Sequence, residues 1–208
     1  MRFNIFTLLF LCILFSVTSC KEKKKVDAGS IDTQENVYEN DEIGWKITIP
    51  EGWRVMTVSQ RDVMNERGKE AIEEVIGEID YSGLKNLLGF QKDRTNIFNS
   101  TTEPFIEEYA GEWEENNNFL KETILETYRQ NNMPAVSSKT IIEEISGQKF
   151  HVYSIKITLS DNIFLTQYVY SSLINNLDFG VNINYTNEKY GQEMLKAFRE
   201  STFTKNSD

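Results

Sequence analysis

The sequence predicts an α+β fold, an antiparallel β-sheet flanked by helices. Three observations carry this. Residues 139–185 hold runs of alternating apolar and polar side chains, separated by Ser146-Gly147, Ser160-Asp161-Asn162 and Asn175-Asn176, the pattern of an antiparallel meander. Trp45, Ile47 and Ile49 alternate with Lys46 and Thr48 ahead of Pro50-Glu51-Gly52, which reads as a half-buried strand ending in a tight turn. Around these strands, apolar residues recur at helical spacing over 70–79, 120–128 and 188–203.

Composition divides the 208 residues into three parts, 1–19, 20–42 and 43–205. Arg2 precedes an apolar run holding Phe6, Leu8, Leu9, Phe10, Leu11, Ile13, Leu14 and Phe15, and small residues lead into Cys20. That is the form of a secretory signal. The run falls short of the roughly 20 apolar residues that span a bilayer, and polar residues Lys21 to Lys25 follow at once.

Val17-Thr18-Ser19-Cys20 resembles the cleavage site of a bacterial lipoprotein. The resemblance implies a diacylglycerol thioether on Cys20, cleavage before it, and acylation of the freed amine. Only a thiol can form the thioether. Each buried methylene contributes about 0.8 kcal/mol, so two or three acyl chains hold a protein at a membrane where one does not. In that class, Asp after the cysteine favours the inner membrane; Lys21 here implies the outer membrane of a Gram-negative envelope, on its periplasmic or exterior face.

Residues 20–42 read as a disordered polar tether, because Val26, Ile31 and Val37 are isolated among charged residues. A flexible chain of this length spans about 25 Å. Beyond the first strand, Trp53 and Val55 resume an extended run. Ile72, Val75, Ile76 and Ile79 lie among Glu70, Glu73, Glu74 and Glu78, with Gly68 and Gly77 limiting the helix to a short one. Leu88 and Phe90, then Asp93-Arg94-Thr95-Asn96, then Ile97 and Phe98, read as a β-hairpin.

Pro104 opens a long polar helical region reaching Asn131, divided at Gly111 or at Asn116-Asn117-Asn118, with Leu120, Ile124 and Tyr128 as the stripe of its second half. Lys139 to Ile145 begins the meander. Tyr153, Ile155, Ile157 and Leu159 share one face of the next strand. Ile163, Leu165, Gln167 and Val169 lie on one side of the third, with Phe164, Tyr168 and Tyr170 on the other, so a helix is expected to cover part of that second face. Leu177, Phe179, Val181, Ile183 and Tyr185 alternate along the fourth. Asn187 is placed to cap the closing helix, whose stripe is Met194, Leu195 and Phe198.

Formal net charge is −10, and losing Arg2 with the leader leaves −11. So acidic a body argues against nucleic acid and against lying flat on anionic lipid. Cys12 leaves with the leader, so Cys20 is the one mature cysteine, and neither an internal disulfide nor a thiolate metal site is expected. The one histidine, His151, begins a strand and reads as structural. Zinc sets built on several His and Cys ligands are excluded. There is no Gly-x-Ser-x-Gly elbow, phosphate loop, dinucleotide fingerprint or Asp-x-Asp-x-Asp-Gly loop. No metal and no cofactor are expected.

Glu107, Glu108, Glu112, Glu114 and Glu115 surround Tyr109 and Trp113. They are a weak divalent-cation site, an acidic docking patch around an aromatic, or a solvated helix face with Trp113 packed inward; charge runs most often take the last role. A glycosidase-type carboxylate pair cannot be picked from 32 acidic residues by sequence. Trp45 and Trp53 suit carbohydrate stacking, but Trp45 shares strand parity with Ile47 and Ile49 and belongs to a core.

Gly44 to Trp53, a strand ending in Pro-x-x-Trp, is followed by a hairpin around Phe90 to Phe98, a long helix, a strand meander and a last helix ending Glu200-Ser201-Thr202-Phe203. That order resembles the PsbP-type, or Mog-type, α/β/α sandwich over the whole globular part, 43–205. The resemblance implies an antiparallel sheet with helices on both faces. It implies no activity, since the family spans photosystem accessory proteins, a nuclear transport factor and many bacterial lipoproteins. The function expected is that of a lipid-anchored envelope lipoprotein, a non-catalytic binding or accessory protein that meets the membrane through its anchor and an envelope protein through an exposed face. A small-ligand carrier with a cavity between sheet and helices, and a carboxylate-based hydrolase, are the alternatives.

Overall fold

The computed structural model describes residues 23–26, 29–33, 35–78, 80 and 82–204. The leader and Cys20 lie outside these. In chain order the elements are β1 (Lys23–Val26), β2 (Gly29–Asp32), β3 (Val37–Asn40), β4 (Trp45–Thr48), β5 (Arg54–Val55), α1 (Val58–Ile76), β6 (Lys85–Gln91), β7 (Ile97–Pro104), α2 (Glu112–Gln130), β8 (Ala135–Ser137), β9 (Ile141–Ile145), β10 (Gln148–Ser160), β11 (Ile163–Ile174), β12 (Leu177–Tyr185), α3 (Glu188–Arg199) and β13 (Thr202–Phe203).

Among the described residues the strands form two antiparallel sheets. One has the order β1-β2-β3-β4-β13; the other runs β5-β6-β7-β12-β11-β10-β8, with β9 also paired to β10. Alternation along β10 sends Phe150 and Val152 to the face shared with α3, and Tyr153, Ile155 and Ile157 to the face shared with α2. The layers are therefore α1 and α2, then the larger sheet, then α3 with the smaller sheet. The predicted antiparallel sheet flanked by helices is the fold found. No described helix is long and apolar enough to cross a membrane.

Trp45 stands at the centre of the main core, 1% exposed. The rings of Tyr38, Phe98, Phe179, Phe198 and Phe203 lie 5.1 to 6.5 Å from its own. Its Nε1 donates to Ser201 Oγ at 3.1 Å, satisfying the one polar atom of the indole. Met194, Leu195 and Phe198 of α3 are fully buried here, and Asn187 caps that helix by accepting from the Tyr190 amide, both as expected.

The polar stretch before Trp45 departs from expectation. Rather than a disordered tether up to residue 42, β2 and β3 extend the smaller sheet, with Ile31 and Val37 buried and Tyr38 fully so. Each short strand needs only one or two inward side chains, and ladder hydrogen bonds leave no mark on composition. The short first helix is instead the 19-residue α1. A capping box nucleates it: Thr57 Oγ1 accepts from the Gln60 amide, and Gln60 Oε1 accepts from the Thr57 amide. Its buried residue is Arg61, whose Nη1 donates to the Leu87 carbonyl at 3.2 Å across Gly89, where a Cβ would meet Arg61 Cδ at 3.0 Å.

Pro104 does not open a helix as expected: it ends β7, residues 105–111 are loop and turn, and the one helix of this region, α2, begins after Gly111, held at φ +91°, and runs unbroken through the asparagines. Its buried residues are Trp113, Asn117, Thr123 and Thr127 rather than Leu120. The last three bond to carbonyls one turn back, Trp113 O, Phe119 O and Thr123 O, so each polar group is satisfied within the helix and can face inward. The last helix ends at Arg199, and Thr202–Phe203 pairs with β4 as β13.

Register defines two ends of the body. Lys23 pairs with Asp32, Asp32 with Val37, and Val37 with Thr48; Ile49 N then donates to Asn36 O. In the larger sheet, the same end holds Gln91, Ile97 and Tyr185, with Trp53 packed on Phe90 and Tyr190. At the opposite end, Leu177 pairs with Pro104, Asn175 Nδ2 donates to Glu42 O, and Lys85 bonds Glu42 at 3.0 Å.

Candidate functional site

The concavity built around exposed aromatics lies at that opposite end. Phe105, Tyr109, Glu112, Glu115, Asn116 and Phe119 line an open hollow of about 390 Å³. The chain leaves β7 and is fixed by Phe105 N donating to Asn176 O at 2.9 Å. It then turns into α2 through Gly111. Glu107 Oε1 accepts from the amides of Gly111 and Trp113, so it acts as the cap that Gly111 cannot supply. Glu112, Glu114 and Glu115 occupy the first turn, where the helix dipole favours them.

Tyr109 Oη donates to Glu115 Oε2 at 2.9 Å, and this bond raises the phenol's pKa. Tyr109 and Phe119 both line the hollow and are 53% and 56% exposed. Of the three readings of this stretch, two features coexist. Trp113 packs inward, 5% exposed, while Tyr109, Glu112 and Glu115 do form an acidic face around an aromatic. Glu107, Glu112 and Glu115 are engaged in local bonds, and among the described residues no group of three or more His, Cys, Asp or Glu side chains is placed to hold a metal ion.

Beneath α2 lies a second cluster. Asp178 of β12 sits directly opposite Glu103 of β7. Burial raises the pKa of Asp178. Burial also raises that of Glu103, with the Asp178 charge adding to it. Trp113 Nε1 lies near enough to favour the ionised Asp178 slightly, but makes no sound hydrogen bond to it. His151 packs edge-on against the Trp113 ring at 4.9 Å, and its partner across the β10–β11 ladder is Ser171. Sequence periodicity could not have paired Glu103 with Asp178, 75 positions apart, because the β7–β12 neighbourhood is set by topology.

Trp45 and Trp53, 1% and 8% exposed, are core residues with no face for a sugar ring. The space where a carrier's cavity would lie, between α2 and the sheet, holds Tyr153, Ile155, Ile157 and Val169 packed with Ile124, Leu125 and Tyr128. A further open hollow at the Lys23 end is lined by Lys156, Asn162, Ile163, Phe164, Thr166, Tyr185, Thr186 and Glu188.

No protein-family model matches the sequence, and no curated protein matches it. Among solved structures, the solution structure of cyanobacterial PsbP (CyanoP) from Synechocystis sp. PCC 6803 superposes with a TM-score of 0.54 at 8% identity, over 81% of this chain and 91% of that one. The fold is PsbP-like. At so low an identity the PsbP-like fold is the whole of the likeness, and no residue role passes from one chain to the other.

Proposed function

We propose that the chain is a lipid-anchored envelope protein that acts by binding, held at the outer membrane through Cys20 and engaging an envelope partner at the Phe105–Phe119 hollow. The observation that carries this is the exposure of Tyr109 and Phe119 in one concavity, with Glu112 and Glu115 on its wall. Solvent-facing aromatics framed by charge are the usual anchor of a protein contact. The rings offer π-faces and the carboxylates offer acceptors, so the complementary group is cationic, a Lys or Arg of the partner resting on the aromatic face. The hollow is open to solvent, a shape that suits a protein side chain resting on its aromatic faces.

The test is a photo-crosslinking amino acid at position 119 in the full chain, in native cells, with position 51 as control. A discrete adduct is expected at 119 and none at 51. It should fade in the double variant Glu112→Gln, Glu115→Gln and at raised ionic strength. An adduct at 119 indifferent to both changes would refute a cationic partner, and identical patterns at 119 and 51 would refute the site.

A further inference from the structure

We propose that the β10–β11 hairpin corner is a second membrane contact, working beside the lipid on Cys20; the inference rests on the anchor reading above. Two residues, Lys21 and Glu22, separate Cys20 from Lys23, where β1 begins, so the chain takes three steps between them. At no more than about 3.6 Å each, their covalent reach is on the order of 10 Å. Lys23 is paired with Asp32, at the end of the body that also holds the 49–53 turn and Tyr185. An anchor this close brings that end to the headgroups.

The apolar surface found there fits such a neighbour. Leu159, Ile163 and Phe164 flank the hairpin turn at 44%, 53% and 42% exposure. Val136 of β8, 68% exposed, sits opposite Lys156 in the adjoining ladder. Lys156 Nζ lies 4.0 Å from the centre of the Phe164 ring, a cation standing beside apolar surface as interfacial anchors do. The turn itself, Ser160, Asp161 and Asn162, is polar. The corner therefore rests side-on at the headgroup boundary, with Asp161 left in the hydrated layer. The acidic body does not oppose this, because the contact is a small apolar corner rather than a broad charged face. The Phe105–Phe119 hollow, at the other end, then points away from the lipid.

The mature chain carries no cysteine but Cys20, which permits a clean probe. Ile163→Cys, labelled with the environment-sensitive fluorophore NBD, is reconstituted as the lipidated chain in phosphatidylethanolamine and phosphatidylglycerol vesicles. Glu108→Cys, labelled alike, reports the far end. At 163 a blue shift, a several-fold rise in emission and quenching by headgroup-proximal nitroxide lipid are expected; at 108 none of these. Vesicle-bound protein with water-like emission at 163 overturns the second contact and leaves the anchor standing. Lipidated-chain preparations that fail to bind vesicles at all overturn both.

Discussion

Gly191 offers a sign test of the packing. It lies inside α3, where replacing Gly by Ala normally stabilises by about 0.8–1.0 kcal/mol through helix propensity. Here an added Cβ would stand 2.6 Å from Cγ, Cδ1 and Cδ2 of Tyr185, flat on the ring. Carbon atoms rest at about 3.5–4.0 Å, so α3 and β12 would have to part by roughly 1 Å. Neither is free to retreat. Tyr185 is 5% exposed with its ring stacked near Tyr168, and α3 is pinned by Met194 and Phe198, both fully buried. Overpacking of this kind costs about 1–3 kcal/mol, and the pinned geometry argues for the upper half. Gly191→Ala is therefore expected to destabilise by a net of about 1–2 kcal/mol, read as a lower urea midpoint with an unchanged slope. Combining it with Tyr185→Leu, which removes the ring face, should return a coupling of about 1 kcal/mol. A stabilised Gly191→Ala would mean that propensity alone governs and that the helix does not sit this close to β12.

Two further outcomes follow from the buried carboxyl and from the proposed anchor. Because Asp178's pKa is raised in the fold, the unfolded chain gives up that proton first as pH rises, so the carboxyl lowers stability above the ordinary Asp range and not well below it. Asp178→Asn should therefore raise the urea midpoint at pH 7, the gain shrinking on acidification, and the Glu103 titration followed by NMR should move down; an equal gain at pH 7 and at pH 2 would refute the burial argument. Cys20→Ser should abolish labelling by radioactive palmitate and release the chain from the membrane fraction, and labelling that persists would assign the lipid elsewhere.

What the sequence made legible was whatever a single element declares by itself. The alternation of Leu177 to Tyr185, the two-sided third strand and the stripe of α3 each follow from local periodicity, and each is found. Illegible were features whose cause lies in another part of the chain. Tyr38 becomes core because β4 pairs with β3, and nothing within Lys21 to Glu42 says so. Arg61 can be buried because Gly89, 28 residues on, has no side chain and Leu87 has a carbonyl to offer. Leu159 was expected to continue the buried face of Tyr153, Ile155 and Ile157, but the ladder slips between Thr158 and Ser160 and turns it outward. In the candidate site, the acids around Tyr109 were visible as a charge run. Phe105 and Phe119, 14 positions apart, became its walls only when Gly111 folded the loop back onto α2.

The two faces of the larger sheet are unequal, and that bears on where a binding function can reside. On the α3 side, aromatic rings interlock around Trp45, and the buried polar indole nitrogen there has its partner in Ser201. On the α1–α2 side the apolar cluster is small, and Asp178 Oδ1, Trp113 Nε1 and Tyr153 Oη are buried without hydrogen bonds. Apolar burial is therefore concentrated on the α3 side, and of the two helices on the other face α1 buries only Arg61 and α2 four residues. The Tyr109–Phe119 hollow is built on the first turns of that same helix. If the proposed partner grips that hollow, it binds the native helix and not the unfolded chain, so its binding should add to the stability of α2.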